Sequence, residues 1–168
     1  MQRIWNCCPK AFPSLPFAAM KGRKFTCPSP ESLRSYRFNA DGSFANGSGC
    51  GNETASDKAM MRKFMVESLE YWVKEYHIDG FRFDLMAIHD IETMQLIRER
   101  MSAIDPTILL YGEGWAAMNP AYEESQLAFK RYTHRIPGVA AFSDDIRNAL
   151  RGDLGCTTGG FIHGVAGN

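Results

Sequence analysis

The sequence predicts an α/β fold with a parallel sheet, and three observations carry that reading. Helical and extended patterns alternate in the order helix, strand, helix, strand between Ser56 and Tyr111, which is the arrangement that crossover connections between parallel strands produce. One extended stretch alternates in character with a period of two and ends in Arg82 and Asp84. A second, Thr107-Ile-Leu-Leu-Tyr111, is a continuous apolar run of the kind expected for a parallel strand buried on both faces. With 168 residues and 45% hydrophobic side chains, the chain has enough apolar content for the core of one globular domain.

Ordered structure is expected from Tyr36 onward. The run from Asn39 to Asn52 is dense in Gly and Asn and reads as a shaped loop. No Lys-Ser or Lys-Thr pair follows its glycines, so a phosphate-binding loop is disfavoured. The triplets at Asn46 and Asn52 that match glycosylation acceptors are read as chance occurrences. A helix follows, with Ser56 as its expected cap and Met61, Phe64, Met65, Leu69, Trp72, Val73 and Tyr76 on one face. His77-Ile-Asp-Gly-Phe-Arg-Phe-Asp84 is the first strand. A second helix starts near Asp90 with Ile91, Met94, Ile97, Met101 and Ile104 inward, and Asp105-Pro106 stops it. Later in the chain, Ser143 is expected to cap a helix over residues 144–150 that Gly152 ends.

Composition divides the chain. Residues 1–35 hold six basic residues (Arg3, Lys10, Lys21, Arg23, Lys24, Arg34) against Glu31 alone, a net of +5, which the remainder cancels with −5. Prolines at 9, 13, 16, 28 and 30 leave no period there, so this part is read as an irregular, basic, Pro-rich segment, and residues 36–168 as the folded part. The overall neutrality disfavours nucleic acid and anionic membrane as partners. The five cysteines are odd in number and form no C-x-x-C pair, which disfavours a zinc site or a disulfide framework. No run approaches the roughly 20 apolar residues of a membrane span, and the early prolines spoil a signal-peptide core, so a cytoplasmic location is expected. Asn39-Ala-Asp-Gly42 has the start of a calcium loop without its closing glutamate; no metal site is readable and no cofactor is expected.

The chemistry lies in two carboxylates. With a period of two, Phe81 and Phe83 face one side of the strand, and Arg82 and Asp84 face the other at its C-terminal end. An arginine beside a carboxylate favours the ionised form, as a nucleophile or electrostatic stabiliser requires. Glu113, in Tyr111-Gly-Glu-Gly-Trp115, comes just past the next strand. Neighbouring strands lie about 4.8 Å apart, close to the 5–5.5 Å between the carboxyls of retaining glycosidases. The flanking glycines are read as admitting substrate close to the backbone, and Trp115 as a face on which a sugar ring can stack. An ordinary ion pair and a plain turn with an exposed glutamate are the competing readings.

The same residues carry a family resemblance. His77-Ile-Asp-Gly-Phe-Arg-Phe-Asp-Leu-Met86 resembles the second signature region of the alpha-amylase superfamily, glycoside hydrolase family 13. Tyr111-Gly-Glu-Gly-Trp115 resembles the third region as found in type I pullulanases. Asn46-Gly-Ser-Gly-Cys-Gly-Asn-Glu-Thr54 and Ala141-Phe-Ser-Asp-Asp-Ile-Arg147 resemble the same branch. The resemblance implies a debranching hydrolase that cleaves α-1,6-glucosidic bonds of pullulan, amylopectin or glycogen with retention, on a (β/α)8 TIM barrel. It makes Asp84 the nucleophile, Arg82 the residue that positions it, and Glu113 the general acid/base, with Trp115 and His89 near the substrate. A related α-glucan hydrolase or glucanotransferase, or a noncatalytic glucan-binding remnant, are the alternatives. Calcium occurs in the family.

Two departures accompany the resemblance. Residues 1–35 lack the Asn-His pair of the first region, and His163 is not followed by the aspartate of the fourth. A (β/α)8 barrel takes about 250 residues. The expectation is therefore an incomplete barrel of about strands 4 to 6 with their helices, truncated or shifted in reading frame near residue 35.

Overall fold

The computed structural model describes residues 35–155 and 157–164. The irregular segment expected over residues 1–35 thus falls outside the described residues, Ser35 excepted. Among the described residues after Ser35, the α-helices and strands run in the order α1 (Ala59–Tyr76), β1 (Gly80–Phe83), α2 (Ile91–Ile104), β2 (Leu109–Gly112), β3 (Val139–Ala141) and α3 (Asp144–Arg151). The strands form one parallel sheet in the order β1-β2-β3, with Phe81 opposite Leu110 and Leu110 opposite Val139. This is the α/β, parallel architecture that the alternation predicts.

The chain before α1 is a turn-rich excursion. Asn39 and Ser43 close a turn in which the Asp41 carboxylate accepts from both the amide and the hydroxyl of Ser43, and Gly42 takes φ 81°. Phe44 packs edge-on to Tyr36 and against Phe38.

Helix α1 differs from its expected start and face. Its N-cap is Lys58, which makes no side-chain capping bond; Ser56 is buried instead and gives its hydroxyl to Asp90 at 2.6 Å. The buried stripe is Met65, Val66, Leu69, Glu70 and Val73, while Phe64 and Tyr76 are 42% and 58% exposed. Helix α1 packs on α2, and ion pairs to Arg100 of α2 (2.5 Å) and to Lys74 (3.1 Å) let Glu70 lie buried beside it. The helix ends at His77 in the left-handed region, φ 52°.

Helix α2 follows its expectation more closely. The Asp90 side chain caps it by accepting from Thr93 N at 2.9 Å, and Asp105 before Pro106 ends it. Ile91, Met94, Ile97 and Met101 are buried; Ile104, in the last turn, is not. Burial and three partner residues act on Asp90 in opposite senses. Burial raises its carboxyl pKa, but bonds from Ser56 and Thr93 and the charge of Arg62 outweigh it and leave the pKa below the ordinary value.

One face of the sheet is covered and the other is open. Phe81, Phe83, Leu110 and Val139 join Met65, Leu69, Met94, Ile97 and Met101 in the core. Each such side chain taken from water contributes about 1.5–3 kcal/mol. Leu109, by contrast, is 53% exposed, which corrects the reading of residues 107–111 as buried on both faces. Only one layer of helices packs on the described sheet, so the alternate residues Arg82, Leu109 and Tyr111 have no second layer above them. Between β2 and β3 the chain makes two short 3-10 turns, at Glu124–Gln126 and Lys130–Arg135. Helix α3 starts as expected, with Ser143 accepting from Ile146 N, and Gly152 ends it at φ 98°.

Candidate active site

The two carboxylates leave adjacent strands at matching positions. The β1–β2 register pairs Phe83 with Gly112, and the next bond, Glu113 N to Phe83 O at 3.0 Å, carries the ladder one step further. Asp84 and Glu113 are therefore neighbours across the C-terminal end of the sheet, on the side of Arg82. The guanidinium of Arg82 binds both: Nη1 reaches Asp84 Oδ1 at 3.0 Å and Nη2 reaches Glu113 Oε1 at 2.6 Å. Exposure of the three side chains is intermediate, 23% for Arg82, 31% for Asp84 and 17% for Glu113. All three thus meet solvent, while a planar fork of donors holds the two acids together.

Backbone strain serves the same site. Leu85, directly after Asp84, adopts φ 48°, which costs a residue with a Cβ about 1–2 kcal/mol. That turn aims its N–H at Glu113 Oε2, 2.9 Å away. Ala87 N then bonds the Glu113 carbonyl at 3.2 Å. Glu113 is fixed at both carboxylate oxygens and at its own backbone.

The glycines beside Glu113 have a different role from the expected one. A Cβ on Gly112 would meet Phe83 O at 2.6 Å and Met86 Cβ at 2.9 Å; one on Gly114 would meet Lys130 Cβ at 2.7 Å. Both are buried against protein. They admit the polypeptide, not a ligand, close to the backbone.

Aromatic rings border the acids. The Phe142 ring lies 5.5 Å from the Arg82 guanidinium, Tyr111 meets it edge-on at 5.5 Å, and Trp115 lies 6.4 Å from it. Asp84, Arg82, Glu113 and Trp115 are thus brought to one end of the sheet. His89 is not among them. It is only 3% exposed and packs edge-on to the core residue Phe83, because the turn Met86–Ile88 carries it beneath the loop. Burial, and then the charge of Arg37, lower its pKa to about 4, so it is neutral at pH 7. A residue so covered offers no face to a substrate.

Sequence reasoning missed a second ionic group beside the site. Arg37 is buried and binds Glu53 (2.7 Å), Asp57 (2.9 Å), Ser56 (3.1 Å) and the carbonyl of Ile88 (2.7 Å), with the Tyr122 ring 4.4 Å away. Glu53 lies in the motif that carries the resemblance, where it stood only as the middle of a glycosylation triplet. A charged residue in a Gly-rich loop was the available signal, and it does not tell burial from exposure.

No family model matches the chain. It is 36% identical over 155 residues to the pullulanase of Bacillus subtilis (strain 168), which covers 84% of this chain and 21% of that protein. It is 33% identical over 124 residues to the chloroplastic pullulanase 1 of Arabidopsis thaliana, covering 69% of this chain and 13% of that protein. Among solved structures, the pullulanase from Paenibacillus barengoltzii in complex with maltohexaose and alpha-cyclodextrin superposes with a TM-score of 0.76 at 47% identity, over 79% of this chain and 21% of that one. The pullulanase from Anoxybacillus sp. LM18-11 complexed with maltotetraose gives 0.75 at 37% identity, over 78% and 19%. The chain spans about a fifth or less of the length of these relatives. With its parallel sheet and the acids at the strand ends, the chain is a pullulanase homologue that matches one part of such a protein.

Proposed function

We propose that this chain carries the catalytic carboxylate pair of an α-glucan debranching glycosidase that cleaves α-1,6 bonds with retention. The observation that carries the reading is the juxtaposition of Asp84 and Glu113 across neighbouring parallel strands, with Arg82 bound to both. In this reading Glu113 protonates the leaving glycosidic oxygen while Asp84 attacks the anomeric carbon and forms a glycosyl ester. Water, deprotonated by Glu113, then releases the sugar and frees Asp84. Each Glu113 oxygen already accepts one bond, from Arg82 or from Leu85 N–H, so the transferred proton uses a remaining lone-pair direction. Arg82 holds the two carboxyl groups side by side, and Trp115 offers its ring to a sugar. No cofactor is needed for these steps.

The substrate class is an α-glucan such as pullulan, amylopectin or glycogen. The names of the relatives and the malto-oligosaccharides in the solved homologues support it. We further read β1 to β3 as about strands 4 to 6 of a (β/α)8 barrel within residues 36–168, with the open face of Arg82 and Leu109 as its interior. Acids at the C-terminal strand ends support that assignment.

The test is release of reducing ends from pullulan by the whole chain beside Asp84→Asn and Glu113→Gln. Loss of the acid/base is expected to lower turnover by about 10²–10⁴-fold, and loss of the nucleophile by at least as much. A wild type no faster than both variants overturns the assignment.

A further inference from the structure

The loop before α1 and the segment after Trp115 meet at one buried carboxylate. Glu53 is fully buried, and its oxygens accept from Arg37 (2.7 Å), from Gly47 N (3.0 Å) and from Ala121 N (3.1 Å). Gly47 in turn gives its carbonyl to the amides of Ala117 (3.0 Å) and Met118 (3.1 Å). The gap between the two segments is closed: a Cβ on Gly47 would stand 2.6 Å from Glu53 Oε2 and 3.0 Å from Pro120 Cα. Residues 113–123 form no helix or strand, so their backbone donors depend on such partners. The part of this segment that these bonds hold, residues 117–121, begins two residues after Trp115, whose ring lies beside Phe142, the ring next to the Arg82 guanidinium. No hydrogen bond or ion pair of Glu53 goes to Asp84, Arg82 or Glu113.

We propose that Glu53 is a positioning residue that fixes residues 117–121 and thereby sets Trp115 beside the acid pair. Its consequence for glucan binding rests on the function proposed above; the fixing of the segment does not. The Arg37 guanidinium bonds one carboxylate oxygen, and the other accepts from both Gly47 N and Ala121 N. A neutral amide of the same size has one acceptor oxygen: with it towards Gly47 and Ala121 its own N–H faces the Arg37 guanidinium, and turned the other way its N–H faces both amides.

Two variants of the whole chain test this from opposite sides. Glu53→Gln keeps the volume and removes the charge, whereas Gly47→Ala keeps every charge and wedges Glu53 from Pro120. Ser56→Ala is the control, because it removes bonds to Arg37 and Asp90 in the same network and touches nothing in residues 115–121. Amide hydrogen exchange at Ala117, Met118 and Ala121 is expected to speed up about tenfold in both test variants, the equivalent of one net hydrogen bond. The Trp115 indole N–H resonance moves with it. Ser56→Ala lowers the melting temperature and leaves both signals in place. On pullulan, the test variants raise KM by about tenfold with kcat within about twofold, the mark of lost substrate binding. Exchange at the three amides no faster in either test variant than in Ser56→Ala overturns the proposal. A wild-type chain without turnover overturns the function proposed above and leaves the exchange data to decide this one; if Glu53→Gln does not fold, Gly47→Ala decides it.

Discussion

Two arginines in this chain each bridge a pair of acids, and the two groups differ chiefly in what surrounds them. Arg82 joins Asp84 and Glu113 at the rim of the sheet, where all three side chains are partly exposed. Arg37 joins Glu53 and Asp57 under the loop, where Arg37 and Glu53 are almost entirely covered. In the buried group the remaining donors and acceptors find protein: Ser56 and the Ile88 carbonyl for Arg37, Gly47 and Ala121 for Glu53, Tyr122 for Asp57. In the exposed group Asp84 keeps lone pairs free for something from outside. The same chemical unit is a staple where its valences are filled and a candidate reaction centre where they are not.

The comparison breaks most decisively if the two arginines are equally costly to remove. Arg37→Met leaves the buried Glu53 without its ion-pair partner, and urea unfolding is expected to register a loss of about 3–5 kcal/mol. Arg82→Met acts on a solvent-screened pair and is expected to cost at most about 1 kcal/mol, while turnover collapses. Equal losses would mean that exposure does not separate the groups.

Acid should reach the buried group first at His89. Above about pH 6.5 this histidine is neutral both folded and unfolded, and contributes nothing pH-dependent. As pH falls from 6.5 towards 4, the unfolded chain gains a proton that buried His89, with its pKa near 4, refuses. Folding is therefore weakened progressively across that window, by on the order of 3 kcal/mol, and no further below it. The carboxyls of Asp57 and Asp90 add their losses at lower pH. For each, burial alone would raise the pKa, but its bonding partners hold it below the ordinary 3.8. In His89→Gln the urea midpoint should lose its slope between pH 6.5 and 4; an unchanged slope would assign it elsewhere.

A smaller effect sharpens the exposed side. Gly112→Ala forces a methyl against Phe83 O and Met86, at a cost of about 1–3 kcal/mol by overpacking. Because Gly112 precedes Glu113, pullulan turnover should fall further than the stability loss explains. A variant that melts lower yet turns over normally would detach Glu113 from the packing beneath it.

Much of the site was legible because it is written in local spacing. A period of two separates Phe81 and Phe83 from Arg82 and Asp84, and Gly-Glu-Gly after an apolar run puts Glu113 past a strand. What stayed illegible depends on partners far along the chain. Ser56 has the chemistry of a cap and sits near a helix start, but Asp90 and Arg37 claim its hydroxyl. Gly112 and Gly114 look like room for substrate until Met86 and Lys130 fill the space. His89 follows a signature region, yet the turn before it sends the ring into the core.

By itself, the sequence determined the parallel α/β alternation, the limits of α2 and α3, and which side of β1 carries its charges. These follow from backbone geometry, capping groups and periodicity, all of which act over a few residues. Only the tertiary structure decided that one guanidinium spans Asp84 and Glu113, that Arg37 and Glu53 are interior, and that the sheet shows an open face at Leu109. Those outcomes depend on which segments lie against each other, and burial, which turns an ion pair into a staple or leaves it reactive, is a property of the packed chain and not of any stretch within it.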